Sequence, residues 1–133
     1  MINRLNVAID NRGAETLGGA EEAAVTSAED HLGFRFPDDY RLFLLHYGAL
    51  KHDGNEIYGI GPSGYCSVVG ATMEERILSE EFPKDCAVIF NLGMEGVLIL
   101  LGSDGVVYEY SPYGMKSIFP SFTKWLEEEF FSL

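Results

Sequence analysis

Basic residues are scarce in this chain. Nine lysines and arginines face 21 aspartates and glutamates, a formal charge of −12 over 133 residues. That balance repels phosphate, so no nucleic-acid partner is expected. Cysteine is rarer still, with only Cys66 and Cys86. The two can pair, but nothing requires a staple, and they read as reduced, partly buried thiols. His31, His46 and His52 are the only histidines. None stands at metal-ligand spacing from another histidine or a cysteine, so neither a metal nor a cofactor is expected. Long apolar runs are missing as well. The longest, residues 97–101, falls far short of the roughly 20 residues that span a bilayer. Arg4 is followed by no apolar run, so a secretory leader is not expected and a cytoplasmic location is. Repeats, linkers and low-complexity segments do not occur.

What is present is an ordinary globular composition, 47% apolar, in a length suited to one domain and one core. The acidity is open between two readings. It attracts basic surfaces at long range, and it also describes a merely solubilising surface.

Hydrophobic spacing places the elements. Ile2, Leu5 and Ile9 recur at helical intervals. A second helix is expected over residues 20–32, with Val25, Ala28 and Leu32 on one face and Gly33 as its cap. Thr26 and Glu29 match a capping box, although they lie inside the periodic pattern. Pro37 opens a third helix, Asp38 and Asp39 suit its positive end, and Tyr40, Phe43, Leu44 and Tyr47 form its buried stripe. Gly48 stops it. Residues 51–55 read as a polar turn and 56–60 as a strand. Residues 68–78 read as a helix with Val69, Met73 and Ile77 on one face. Three apolar runs, 86–91, 97–101 and 106–110, are separated by short glycine-containing loops. Parallel strands need longer crossovers, so these form an antiparallel meander, with residues 116–119 as an edge strand. A last helix over 121–130 buries Phe122, Trp125, Leu126 and Phe130. Helices first, strands next and a helix last predict an α+β fold: a single domain with N-terminal helices, an antiparallel β-meander and a C-terminal helix.

Chemistry is harder to find. Gly59, Gly61 and Gly64 match the dinucleotide-binding glycine pattern, but that pattern needs a parallel βαβ unit with a helix opening inside it. A glycine-rich loop leaving a strand is the expected structure. Ser63 and Ser67 have no base placed near them in sequence. Cys66 and Cys86 could act only with a histidine brought close by folding. Asp38–Asp39, Glu74–Glu75 and Glu80–Glu81 are neighbours in sequence and do not face one another on a helix, so they read as solvated acids. Glu127, Glu128 and Glu129 extend the acidic surface. Among Tyr58, Tyr65, Tyr108, Tyr110 and Tyr113, three are expected to pack in the sheet and two to remain exposed for binding.

The order of several segments resembles one family. Glu29-x-x-Leu32-Gly33 leads to Phe36-Pro37, where the family has Leu-Pro, then to Asp38-Asp39-Tyr40 and Leu44-Leu45-His46-Tyr47-Gly48. Residues 55–59, 83–93, 104–108 and 121–126 continue the pattern. Over residues 20–131 the chain resembles the SUKH superfamily, which includes a yeast cell-wall-synthesis regulator and many bacterial toxin-immunity proteins. The resemblance implies an α+β domain without enzymatic activity that binds a protein partner. In bacteria that partner is a toxin, often a nuclease or deaminase, and a basic toxin surface suits this charge. The alternative is an intracellular regulatory scaffold in cell-envelope or signalling pathways. Candidate contact residues are Asp53, Glu56, Tyr65, Glu95 and Tyr113, acids and aromatics near strand ends and loops.

Overall fold

The computed structural model describes residues 2–132, without the side chains of Ile2 and Asn3. Helix α1 spans Ile2–Arg12. It buries Leu5 and Ala8, with Ile9 half-buried; the side chain of Ile2 lies outside the described residues. Helix α2, Glu22–Leu32, buries Val25, Ala28 and Leu32, and Gly33 closes it in a left-handed conformation. Its first residue comes after Glu21, so Thr26 is no cap. Glu29 does something else. It is buried, accepts the Phe36 amide at 2.7 Å, and meets Arg41 Nε at 3.2 Å. Helix α3, Asp38–Tyr47, buries the expected stripe, and Pro37 sits one residue before it. Tyr40 is its centre. Its ring packs 5.0 Å from Phe122, and its hydroxyl donates to the Tyr58 carbonyl at 2.7 Å.

Residues 51–55 are not simply a turn. Strand β1, Glu15–Thr16, pairs with β2, Leu50–His52, which pairs antiparallel with β3, Asn55–Ile57. Asp53 and Gly54 join β2 to β3 with φ of 50° and 81°, the two-residue turn that matches strand twist. Leu50 and Ile57 face each other across this hairpin and are fully buried. That pair, more than the propensity of its polar neighbours, holds the strands. The short strand expected over 56–60 therefore ends at Ile57.

Helix α4, Val68–Leu78, buries Val68 and Thr72. The expected face is turned by about one residue: Val69 and Met73 are only partly buried, and Ile77 is 82% exposed. A polar residue is buried because it has a partner: the Val88 amide donates to Thr72 Oγ1 at 2.9 Å.

The meander has the expected order. Strands β4, Cys86–Asn91, β5, Leu98–Gly102, β6, Val107–Ser111, and β7, Gly114–Phe119, pair antiparallel in sequence order. A bulge at Ile89 interrupts the β4–β5 register. The carbonyl of Ile89 accepts the Tyr58 amide at 2.9 Å, which joins the two sheets. One face, with Ala87, Phe90, Ile99, Leu101 and Val107, packs on the helical core. The other, with Cys86, Val88, Leu98 and Leu100, packs under Phe82 and Ala71. Both faces of β5 are buried, which is why its sequence is a continuous apolar run.

The final helix departs from a regular α-helix. Helix α5, Phe122–Trp125, widens into a π-type turn, Leu126–Phe130, with the Phe131 amide donating to the Leu126 carbonyl at 3.0 Å. The wider turn rotates the last aromatic residues about the helix axis. Phe131 is buried and Phe130 half-buried. Glu127 is buried too, 3.4 Å from Arg4, so it is not part of a solvated acidic face. Among the described residues no helix is long and apolar enough to cross a membrane.

Candidate functional site

Neither the glycine pattern nor the thiols form a reactive centre. Gly59 lies just beyond the end of β3, in a single-residue parallel bridge to Ser67. Residues 62–64 form one 3-10 turn, and α4 starts only at Val68. Gly59 and Gly61 serve packing, whereas Gly64 has open space at its Cβ position and a φ of 80°. A Cβ on Gly59 would stand 1.9 Å from the Gly48 carbonyl oxygen, and one on Gly61 would stand 2.1 Å from that of Tyr65. Cys66 and Cys86 are unpaired and buried. Among the described residues neither His46 nor His52 contacts a cysteine or a serine. His46 Nδ1 bonds the Leu42 carbonyl, and His52 sits against Phe130, Phe131 and Asp53. No cluster of three or more histidine, cysteine or acidic residues able to hold a metal exists among the described residues.

Burial first, then Glu56, pushes the Cys66 thiol from 9.0 up to about 11. Burial and then Asp85 push Cys86 from 9.0 up to about 12. Thiols this reluctant to ionise are poor nucleophiles. They also set a pH dependence. The unfolded chain loses these protons first, so their contribution to stability is whole below about pH 9 and is lost as pH rises towards 11–12. The Tyr108 hydroxyl, donated to Asp104 at 2.6 Å and raised to about 12, acts in the same direction. The urea midpoint is expected to be level through neutral pH and to fall above about pH 9. A midpoint that rises there contradicts the assignment of these protons.

The candidate contact residues fall into two groups. Asp53 tips the β2–β3 hairpin with its side chain 84% exposed. Glu56 accepts the Tyr65 hydroxyl at 2.8 Å, and Lys51 Nζ lies 5.2 Å over the Tyr65 ring. That group is therefore already engaged within the chain. Glu95 and Tyr113 lie elsewhere, in the β4–β5 and β6–β7 connections at one end of the meander. Glu95 has φ of 53°, and Tyr113 is 93% exposed. As expected, Tyr65 and Tyr113 are the exposed pair of the five tyrosines, while Tyr58, Tyr108 and Tyr110 pack beside the smaller core cluster.

Around Tyr113 the surface is unusual. A groove of about 600 Å³ runs between the end of α4 and the meander, lined by Glu75, Glu81, Pro83, Tyr110, Pro112 and Met115 among others. Tyr110 and Met115 are cross-strand neighbours, and Tyr110 packs against the smaller core cluster. Of the nine exposed large apolar residues described, Met115 lines this groove, and Tyr113 lies between two of its lining residues, Pro112 and Gly114. Glu74, Glu80 and Glu95 each adjoin a lining residue in sequence. Burial, then Glu74, holds the Glu75 carboxyl above its ordinary range. Arg76 does not neutralise the groove, because its guanidinium turns inward to the carbonyls of Leu32 and Lys84 at 2.8 and 2.9 Å. The groove thus joins the apolar side chains of Tyr110, Pro112 and Met115 to the carboxylates of Glu75 and Glu81.

The SUKH_5 family model, described as SMI1-KNR4 cell-wall, matches residues 1–131. The chain belongs to the SUKH family. The match reaches further than the resemblance over residues 20–131, taking in α1 and β1. No curated protein matches the chain significantly. For this SUKH chain, the sequence reading named Glu95 and Tyr113, which adjoin the groove's lining residues Gly96, Pro112 and Gly114, but did not name the lining residues Glu75, Glu81, Tyr110 and Met115 as contacts.

Proposed function

We propose that this SUKH chain is a non-enzymatic immunity protein that acts in the cytoplasm. It binds and neutralises a basic toxin domain, such as a nuclease or deaminase. The observation that carries this reading is the groove between α4 and the meander, lined by Tyr110, Pro112 and the exposed Met115 together with Glu75 and Glu81, with the exposed Tyr113 between its lining residues Pro112 and Gly114. Apolar anchors supply affinity, and the charge of −12 speeds capture of a basic partner. Co-expression with a toxin domain encoded beside the gene tests it. A complex and protection of the host are expected, and failure of both refutes the proposal.

Within that complex, Tyr113→Ala is expected to weaken binding by about 2 kcal/mol, roughly 30-fold in Kd. The melting temperature should not change, since the ring is 93% exposed. Calorimetry on the complex and on the free variant checks both halves. The second reading, a regulatory scaffold, is favoured by the cell-wall description of the family model. It predicts a housekeeping partner and an envelope phenotype in a strain that carries no toxin.

A further inference from the structure

A second concavity lies on the helical side of the meander, away from the groove. It measures about 210 Å³, and its lining includes Phe90, Ile99, Trp125, Phe130, Glu109 and Glu129. The Phe90, Trp125 and Phe130 rings are in mutual contact, with centroids 5.7 to 5.9 Å apart. Phe90 and Phe130 are only half-buried, so parts of both rings face the opening. The π-type turn of the last helix places Phe130 and Glu129 at this rim. Asn55, at the end of the β2–β3 hairpin, adds an amide.

Aromatic rings and two carboxylates lining one pocket are a chemistry with one good complement. A purely apolar side chain would make no use of the carboxylates, and an anion would be repelled. A cation with a flat delocalised face stacks on the rings and forks to the carboxylates. Glu109 already holds a cation in the open: Lys116 Nζ lies 3.4 Å away on a side chain that is 70% exposed. The volume accommodates one long side chain.

We propose that this pocket is a socket for the guanidinium of one arginine on the protein partner. The inference rests on the protein-binding reading above and adds a second anchor to it. Trp125 is the chain's only tryptophan, so its indole N–H resonance reports on the pocket directly. Titration of the full chain with acetyl-arginine amide is expected to shift that resonance and those of Ile99 and Ile118 saturably. The neutral isostere acetyl-citrulline amide is expected not to. Glu109→Gln with Glu129→Gln should weaken binding about fivefold or more. Lys116→Ala, which removes the competing ammonium, should tighten it. Glu129→Gln alone, at an exposed position, keeps the test informative if the double variant folds poorly. No shift, an equal response to the citrulline compound, or shifts confined to Tyr110 and Met115 overturn the socket. In a complex with the partner, a double variant that binds as well as wild type also overturns it while leaving the binding role intact. Saturable arginine binding by a chain for which no partner is found supports the socket and counts against the immunity role alone.

Discussion

Alanine at position 48 is expected to lower stability by about 3 kcal/mol or more. Gly48 ends α3 with φ of 72° and ψ of −66°, where an L side chain is strained. A Cβ there would stand 2.1 Å from the Gly18 carbonyl oxygen and 2.9 Å from that of Ile60. Both obstacles are backbone and cannot rotate away. They are also pinned, since the Ile60 amide donates to the Gly48 carbonyl at 2.8 Å. Three chain segments cross at this point, and the added methyl would push all three apart. Gly54→Ala is the control. Its φ of 81° is equally positive, but nothing lies within 4 Å of its Cβ position, so it should cost only about 1 kcal/mol. Urea unfolding of both variants separates conformational strain from collision. If Gly48→Ala proves as stable as Gly54→Ala, the crossing does not constrain the fold.

Glu29→Ala is expected to destabilise by about 3 kcal/mol. Its side chain is 7% exposed, and removal of the carboxylate strands two donors, the Phe36 amide and the Arg41 guanidinium. Arg41 keeps a distant second partner, Glu22 at 3.9 Å, whose side chain is 77% exposed. That residual contact keeps the loss at the lower end for a broken buried pair. Glu29→Gln preserves an acceptor and should fall between wild type and Glu29→Ala. The double change Glu29→Ala with Arg41→Ala should recover part of the loss, because no buried charge is then left alone. Thermal melts of the four proteins decide it. A loss under about 0.5 kcal/mol for Glu29→Ala would mean that the 33–37 link is held by its aromatic packing alone.

The same glutamate shows why the sequence is legible in one respect and opaque in another. Its spacing from Leu32 and Gly33 marks the end of α2, and the cap is there. Its spacing from Thr26 also suggests a helix start, and that is absent. Local patterns compete on paper, whereas in the folded chain the carboxylate reaches the Phe36 amide seven residues ahead. The β2–β3 hairpin fails to show for a related reason. Its Asp53-Gly54 turn is a strong local signal, but each strand has three residues, too few to display an alternating pattern. α4 shows another limit. Its helical period is plain, yet which side is buried depends on the Val88 amide that Thr72 serves.

The SUKH character, the α+β order, the antiparallel sense of the meander and the glycine stop after α3 were all legible in the linear chain. The first rests on the order of several segments that resemble the family; the others rest on short-range physics: the period of apolar residues, the length of a loop, the conformational freedom of one residue. The same reading marked Glu95 and Tyr113 as candidates. Folding was needed to bring their loops to the end of α4 and form a groove, to turn Glu127 inward to Arg4, and to set Phe90, Trp125 and Phe130 around one small pocket. Those surfaces join residues tens of positions apart, and no local spacing encodes them. They arise from how sheet and helices share a core, and from the apolar residues that core leaves uncovered.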